Sequence, residues 1–183
     1  MPVLQCTSSS DSGRRRSLGL VTVSHGTHQG KSSCLNVRTE RRTFDVSNSI
    51  AVQAFNKAES VLSTLDPITR SSASDKYHLV ILQDACSGSN ETEKYRSASV
   101  QTAQGLEEWV LRNRDHFASV HFDRSEENNG PYRTAKRLIT RALEKSESVI
   151  FSEDDLIFEQ NAIEWFERAL AHPMFLRPNV WGC

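Results

Sequence analysis

The sequence predicts an α/β fold in which a mostly parallel sheet carries helices on both faces. Three observations predict it. Short apolar runs alternate with longer segments of helical spacing, and strand–helix alternation is the pattern of a parallel sheet. The run Leu79-Val80-Ile81-Leu82 is continuously apolar, as a strand covered on both faces requires. The stretch Ser148 to Leu156 passes from Val149-Ile150-Phe151 straight into Glu153-Asp154-Asp155. That puts three carboxylates at the C-terminal end of a strand, where open α/β sheets bind their ligands.

Composition narrows the function. The chain has 183 residues, enough for one domain, or one domain and a tail. Hydrophobic residues make up 37%, and mean hydropathy is −0.51. The polar excess is concentrated at the N-terminus. Net charge is −1 and the pI is near 6.6, which gives no global case for nucleic acid or an anionic membrane as partner. Cys6, Cys34, Cys86 and Cys183 lack the CxxC spacing of a zinc site and do not form a disulfide framework. No apolar run approaches the roughly 18 residues of a membrane span. The short Leu18–Val23 stretch after Arg14-Arg15-Arg16 is too weak for a secretory signal, so a cytoplasmic location is the default expectation.

Residues 1–47 are rich in Ser, Arg, Thr and Gly and read as a disordered leader, with one short strand available at Leu20-Val21-Thr22-Val23. The folded part, 48–183, begins with a strand at Ser49 to Phe55, ended by Asn56-Lys57. Ala58, Val61, Leu62 and Leu65 have helical spacing, and Asp66-Pro67 is the expected stop. Ser71 to Lys76 is a polar loop. Tyr77 to Asp84 is the clearest strand, and Ser87-Gly88-Ser89-Asn90 is a turn. Residues 91–117 read as a helix with Leu106, Trp109 and Val110 in its apolar stripe, although its polar early half also fits a loop. Ser119 to Asp123 is a short strand, followed by a loop containing Asn128-Asn129-Gly130. Tyr132, Ala135, Leu138, Ile139, Ala142 and Leu143 form one helical stripe. After the acidic strand, Gln160 to Ala171 reads as a helix ended by His172-Pro173, and Asn179 to Cys183 as the opening of one more strand.

Three strand ends carry polar groups: Asn56-Lys57, Gln83-Asp84 and Glu153-Asp154-Asp155. In a parallel sheet they share one edge. Lys57 supplies charge for a phosphate, and Asp84 can accept hydrogen bonds from a base or ribose. The acidic triplet suits a hard divalent ion, which often takes one or two carboxylates and fills its shell with phosphate oxygens. Together they describe a site for a nucleoside diphosphate and Mn²⁺ or Mg²⁺. Neither GxGxxG nor GxxxxGKS occurs, which removes most support for dinucleotide and P-loop readings.

The segments Ile-Ala-Val-Gln-Ala-Phe-Asn-Lys, Leu-Val-Ile-Leu-Gln-Asp, Tyr-Arg-Thr-Ala-Lys-Arg and Val-Ile-Phe-Ser-Glu-Asp-Asp-Leu resemble GT-A fold glycosyltransferases, a Rossmann-like architecture. The resemblance is to the N-acetylglucosaminyltransferase I group and family-2-like transferases. It covers about residues 49–183 and only the N-terminal, nucleotide-sugar-binding half. It implies transfer of a sugar from a nucleoside-diphosphate donor, with a UDP-sugar favoured, to an acceptor hydroxyl. Asp155 of the EDD motif would coordinate Mn²⁺ or Mg²⁺. Glu153 and Asp154 would contact the ribose or donor sugar and Asp84 the uracil, with Asn56 and Lys57 at the same nucleotide-sugar site. Lys57 stands where the family usually has Arg, which keeps the charge but loses the bidentate fork. The catalytic base and much of the acceptor site would lie beyond residue 183, so the chain reads as truncated at its C-terminus.

Blander readings stand beside these. The acidic triplet is also a solvated turn capping the next helix, Asp84 a cap on the Ser87–Asn90 turn, and Lys57 a surface lysine. Arg133, Lys136 and Arg137 read as a solvated helix face rather than a diphosphate clamp. His121 and Trp165 read as structural, and His78, His116 and His172 have no zinc-ligand spacing. The alternatives to a transferase are a non-catalytic nucleotide-binding fragment and a nucleotidyltransferase. The latter usually has a Gly-rich phosphate loop after its first strand.

Overall fold

The computed structural model describes residues 19–22, 48–87 and 93–176. A five-stranded sheet holds β1 (Gly19–Thr22), β2 (Asn48–Ala54), β3 (Tyr77–Gln83), β4 (Ser119–Arg124) and β5 (Ser148–Ser152) in the order β1-β5-β2-β3-β4. Strands β2 to β5 are mutually parallel, and β1 lies antiparallel along the outer edge of β5. The helices are α1 (Ala58–Thr69), α2 (Glu93–Asn113), α3 (Gly130–Leu143) and α4 (Ala162–Leu170). This is the predicted α/β architecture, and each strand expected between residues 48 and 153 is present. The expected short strand at Leu20–Val23 is found one residue earlier, as β1. The remainder of residues 1–47, the Gly88–Asn90 part of the predicted turn and the strand expected at Asn179 lie outside the described residues.

Strand geometry builds two cores from one sheet. Successive side chains point to opposite faces. On one face Ile50, Val52, Leu79, Ile81 and Ile150 pack with Val61 and Leu65 of α1, Leu106 and Trp109 of α2, and Ile163 and Phe166 of α4. On the other, Ala51, Val80, Leu82 and Val149 pack against Leu138 and Ala142 of α3. Ile50, Leu79 and Ile150 are aligned in register across the three central strands and are fully buried.

Helices α1 and α3 depart from expectation in detail, while α2 bears out the helical reading. Asp66-Pro67 does not stop α1, which continues to Thr69. Proline removes one helical hydrogen bond, but one further turn carries Ile68 into complete burial. The polar early half of α2 is helix, because the small side chains Ser99, Thr102 and Ala103 let it pack closely. In α3 the inward row is Thr134, Leu138 and Ala142, while Tyr132, placed in the stripe by spacing, is mostly exposed. Helix α4 is tied to the loop after α1: one Glu164 oxygen accepts hydrogen bonds from Ser71 Oγ at 2.9 Å and from Ser72 N at 3.1 Å.

The strand order fixes where a ligand can sit. From β2 the chain moves outward through β3 to β4, then crosses back to place β5 on the opposite side of β2. The direction of winding therefore reverses between β2 and β5, which opens a crevice at their carboxyl ends.

Candidate functional site

The two lips of that crevice are Phe55-Asn56-Lys57 after β2 and Glu153-Asp154-Asp155 after β5. They touch. The backbone N–H of Phe55 donates to Asp154 Oδ2 at 3.2 Å, and Lys57 Nζ lies 3.7 Å from Asp155 Oδ2. The three acids then diverge. Glu153 is exposed, Asp154 is part-buried against the end of β2, and the Asp155 side chain is only 19% exposed.

A scaffold beneath the lips fixes their backbone. Gln83, at the end of β3, donates from Nε2 to the carbonyl of Phe55 and to the carbonyl of Ser99, both at 2.8 Å. This buried amide locks the end of β2 to α2. Below the second lip, Thr64 Oγ1 of α1 donates to the carbonyl of Leu156 at 2.6 Å, anchoring the residue after the acidic triplet. Sequence reasoning missed both roles. The available signals were a Gln closing an otherwise apolar strand and a Thr inside the buried stripe of α1.

Asp84 lies one strand further along the same edge. It is 5% exposed and accepts hydrogen bonds from the backbone of Asn129 at 3.0 Å and Gly130 at 2.9 Å, and from the backbone N–H of Ala85 at 3.1 Å. It therefore caps the start of α3 from a distant strand. Asn129, the residue preceding that helix, makes no side-chain cap of its own. Asn128 Nδ2 donates to the carbonyl of Ala85 at 2.8 Å, completing the join between the two loops. Gly130 has φ +72°, a conformation that disfavours any residue with a Cβ. The structure thus brings Asn56-Lys57 together with Asp154-Asp155, and places Asp84 at the foot of the neighbouring loop.

Burial pushes the Asp154 carboxyl above its ordinary range, against the opposing pull of Lys57 and the Phe55 N–H. The folded chain therefore keeps this proton to higher pH than the unfolded chain does. The stability contributed by the protonated form is complete below the ordinary value of 3.8 and is lost as pH rises through the folded value. Asp154→Asn should accordingly have a higher urea midpoint than the wild type at pH 7, with the advantage shrinking as pH falls toward 4. An advantage independent of pH would show that the desolvated charge is not its source.

The donor set suits a divalent ion in one particular way. Among the described residues no group of three His, Cys, Asp or Glu side chains gathers to hold a metal. A cation at Asp155 would take one or two protein carboxylates and complete its shell from a ligand, the arrangement Mg²⁺-type ions commonly adopt with phosphates. A cationic group, the Lys57 ammonium, already lies beside that carboxylate. The basic residues Arg133, Lys136, Arg137 and Arg141 instead line a shallow depression along α3 that includes neither lip. Arg141 pairs with Asp123 of β4.

No protein-family model and no curated protein matches the sequence. Solved structures do match. S. aureus TarS 1–349, in complex with UDP, superposes with a TM-score of 0.50 at 18% identity, over 69% of this chain and 32% of that one. The mannosyltransferase PcManGT from Pyrobaculum calidifontis, in complex with GDP-Man and Mn²⁺, superposes with a TM-score of 0.51 at 18% identity, over 73% of this chain and 37% of that one. The chain shares the fold of the matched parts of these two proteins. The chain spans about a third of the length of these two proteins. No helix among the described residues is long and apolar enough to cross a membrane.

Proposed function

We propose that this chain is the donor-binding portion of a metal-dependent glycosyltransferase of GT-A type, N-acetylglucosaminyltransferase I-like or family-2-like, that uses a nucleoside-diphosphate sugar. One observation carries the reading: the Asp154-Asp155 carboxylates and the Phe55–Lys57 segment meet at the point where the sheet's winding reverses. Nucleotide complexes of the two structural neighbours support it.

Each residue has a role in this reading. Asp155 holds Mn²⁺ or Mg²⁺. Asp154, its backbone position set by β5 and one oxygen held by Phe55, presents its other oxygen to the ribose or donor sugar, and exposed Glu153 does the same from the rim. Asn56 and Lys57 face the diphosphate. Asp84 serves the base, with its capped loop forming the wall beside it. A divalent ion held by Asp155 would supply positive charge to offset the charge that builds on the departing nucleoside diphosphate. The chain's own part is to orient the donor and exclude water below it, through the Gln83 and Thr64 anchors. We place the boundary of the main unit at residue 48, with 1–47 as a leader that lends β1 to the outer edge of the sheet.

Binding and transfer are separate claims. Calorimetric titration of UDP, UDP-sugars and GDP-sugars with and without Mn²⁺ tests the first. We expect saturable, Mn²⁺-dependent binding with uridine preferred. Equal, weak affinity for all of them in either condition would reject the donor site. Turnover of a UDP-sugar onto an acceptor tests the second, and its outcome leaves the donor site as it stands.

A further inference from the structure

The crevice contains a cation of its own. Lys57 is the residue just before α1, its side chain makes no cap bond there and is 56% exposed, and its ammonium lies 3.7 Å from Asp155 Oδ2. That separation is an ion pair, longer than the 2.7–2.9 Å of a charge-assisted hydrogen bond. The Asp155 side chain is mostly buried while the Lys57 side chain is more than half exposed. The same charge also acts on Asp154, where it opposes the effect of burial. One exposed lysine thus faces two carboxylates across the β2–β5 crevice.

We propose that Lys57 is a displaceable counter-ion: it neutralises Asp155 while the crevice holds no ligand, yields that carboxylate to an incoming divalent cation, and then pairs with the diphosphate that arrives with it. The proposal rests on the metal reading of Asp155 given above. A doubly charged ion gains more from the buried carboxylate than a single ammonium held at ion-pair distance. An exposed lysine regains rotamer freedom when released, so its departure costs little. Once displaced, it is a positive charge on the lip that faces the phosphates. Its influence therefore changes sign: it competes with a metal that comes alone and assists a metal that comes with a nucleoside diphosphate. A lysine that was only a surface residue would do neither. One fixed permanently on Asp155 would oppose both.

The test is Mn²⁺ binding followed by the electron paramagnetic resonance signal of free Mn²⁺, with UDP absent and present, for the wild type, Lys57→Met, Lys57→Arg and Asp155→Asn. In Lys57→Met, Mn²⁺ alone should bind about three- to fivefold more tightly than in the wild type, the size expected on removing an exposed ion pair. The same variant should bind UDP in saturating Mn²⁺ about tenfold more weakly, as for one lost phosphate contact. Lys57→Arg keeps the charge and should return both affinities toward the wild type. A Lys57→Met variant that gains no affinity for Mn²⁺ alone overturns the counter-ion role, while loss of Mn²⁺ binding in Asp155→Asn would leave the metal site standing. If Asp155→Asn binds Mn²⁺ as the wild type does, or if no form binds it with or without UDP, the metal reading falls and this proposal with it.

Discussion

Asp155→Asn should abolish the Mn²⁺-dependent part of donor binding and leave the fold in place. The Asp155 side chain is 19% exposed at the end of β5, and its charge is the feature that suits it to a divalent ion. Asparagine keeps the shape and removes that charge. Partners one shell removed from a metal already change affinity by roughly 10- to 100-fold when mutated, so loss of a direct ligand should cost about 100-fold or more. Stability should move little. The variant gives up one long ion pair with Lys57, worth about 0–1 kcal/mol, and relieves repulsion among three consecutive acids. Calorimetry of a UDP-sugar on both proteins, with and without Mn²⁺, should show tight binding in one of the four conditions only. Four equal affinities would remove the metal from the site.

The sheet was legible in the sequence because each strand announces itself locally. Tyr77 to Gln83 and Val149 to Phe151 are apolar runs that need cover on both faces, and the structure provides it. The strand order was not legible. Nothing local in Ser148–Ser152 says that β5 passes β3 to lie beside β2, and nothing in Gly19–Thr22 names β5 as its antiparallel partner. The acidic triplet was found as a cluster, but its division into an exposed Glu153, a part-buried Asp154 and a largely buried Asp155 depends on the Phe55 and Lys57 contacts, each about a hundred positions away in the chain. Gln83 entered the sequence reading only as a strand-end polar residue. Its work as a clamp depends on Ser99, in a part of α2 whose polar composition also fitted a loop. Helix α1 shows the opposite error: Pro67 is a strong local stop, and the burial of Ile68 outweighed it.

Asp84→Ala should destabilise the protein severely, because Asp84 is a cap before it is anything else. Its carboxylate accepts the backbone N–H groups of Asn129 and Gly130 across 45 and 46 residues of sequence, and that of its neighbour Ala85. Hydrogen bonds to a charged group are worth about 1.5–3 kcal/mol each; the Asn129 N–H would lose its acceptor, while the Gly130 N–H keeps Asn128 Oδ1 at 3.0 Å. Two such bonds at the start of α3, where negative charge also favours the helix dipole, put the cost at roughly 3–5 kcal/mol. That is a large share of the 5–15 kcal/mol that typically separates folded from unfolded states. A fall of about 10–20 °C in the thermal midpoint is expected. Asp84→Asn keeps one oxygen as acceptor but turns an amide toward backbone donors, so it should lie between the wild type and Asp84→Ala. Thermal unfolding without nucleotide separates the two roles of this residue. If Asp84 serves only the base, both variants will melt with the wild type and differ from it only in UDP affinity. If it caps α3, the melting loss will appear with no nucleotide present. Any loss of UDP affinity in Asp84→Asn, measured well below its melting temperature, then reports on the wall of the site that the cap holds in place.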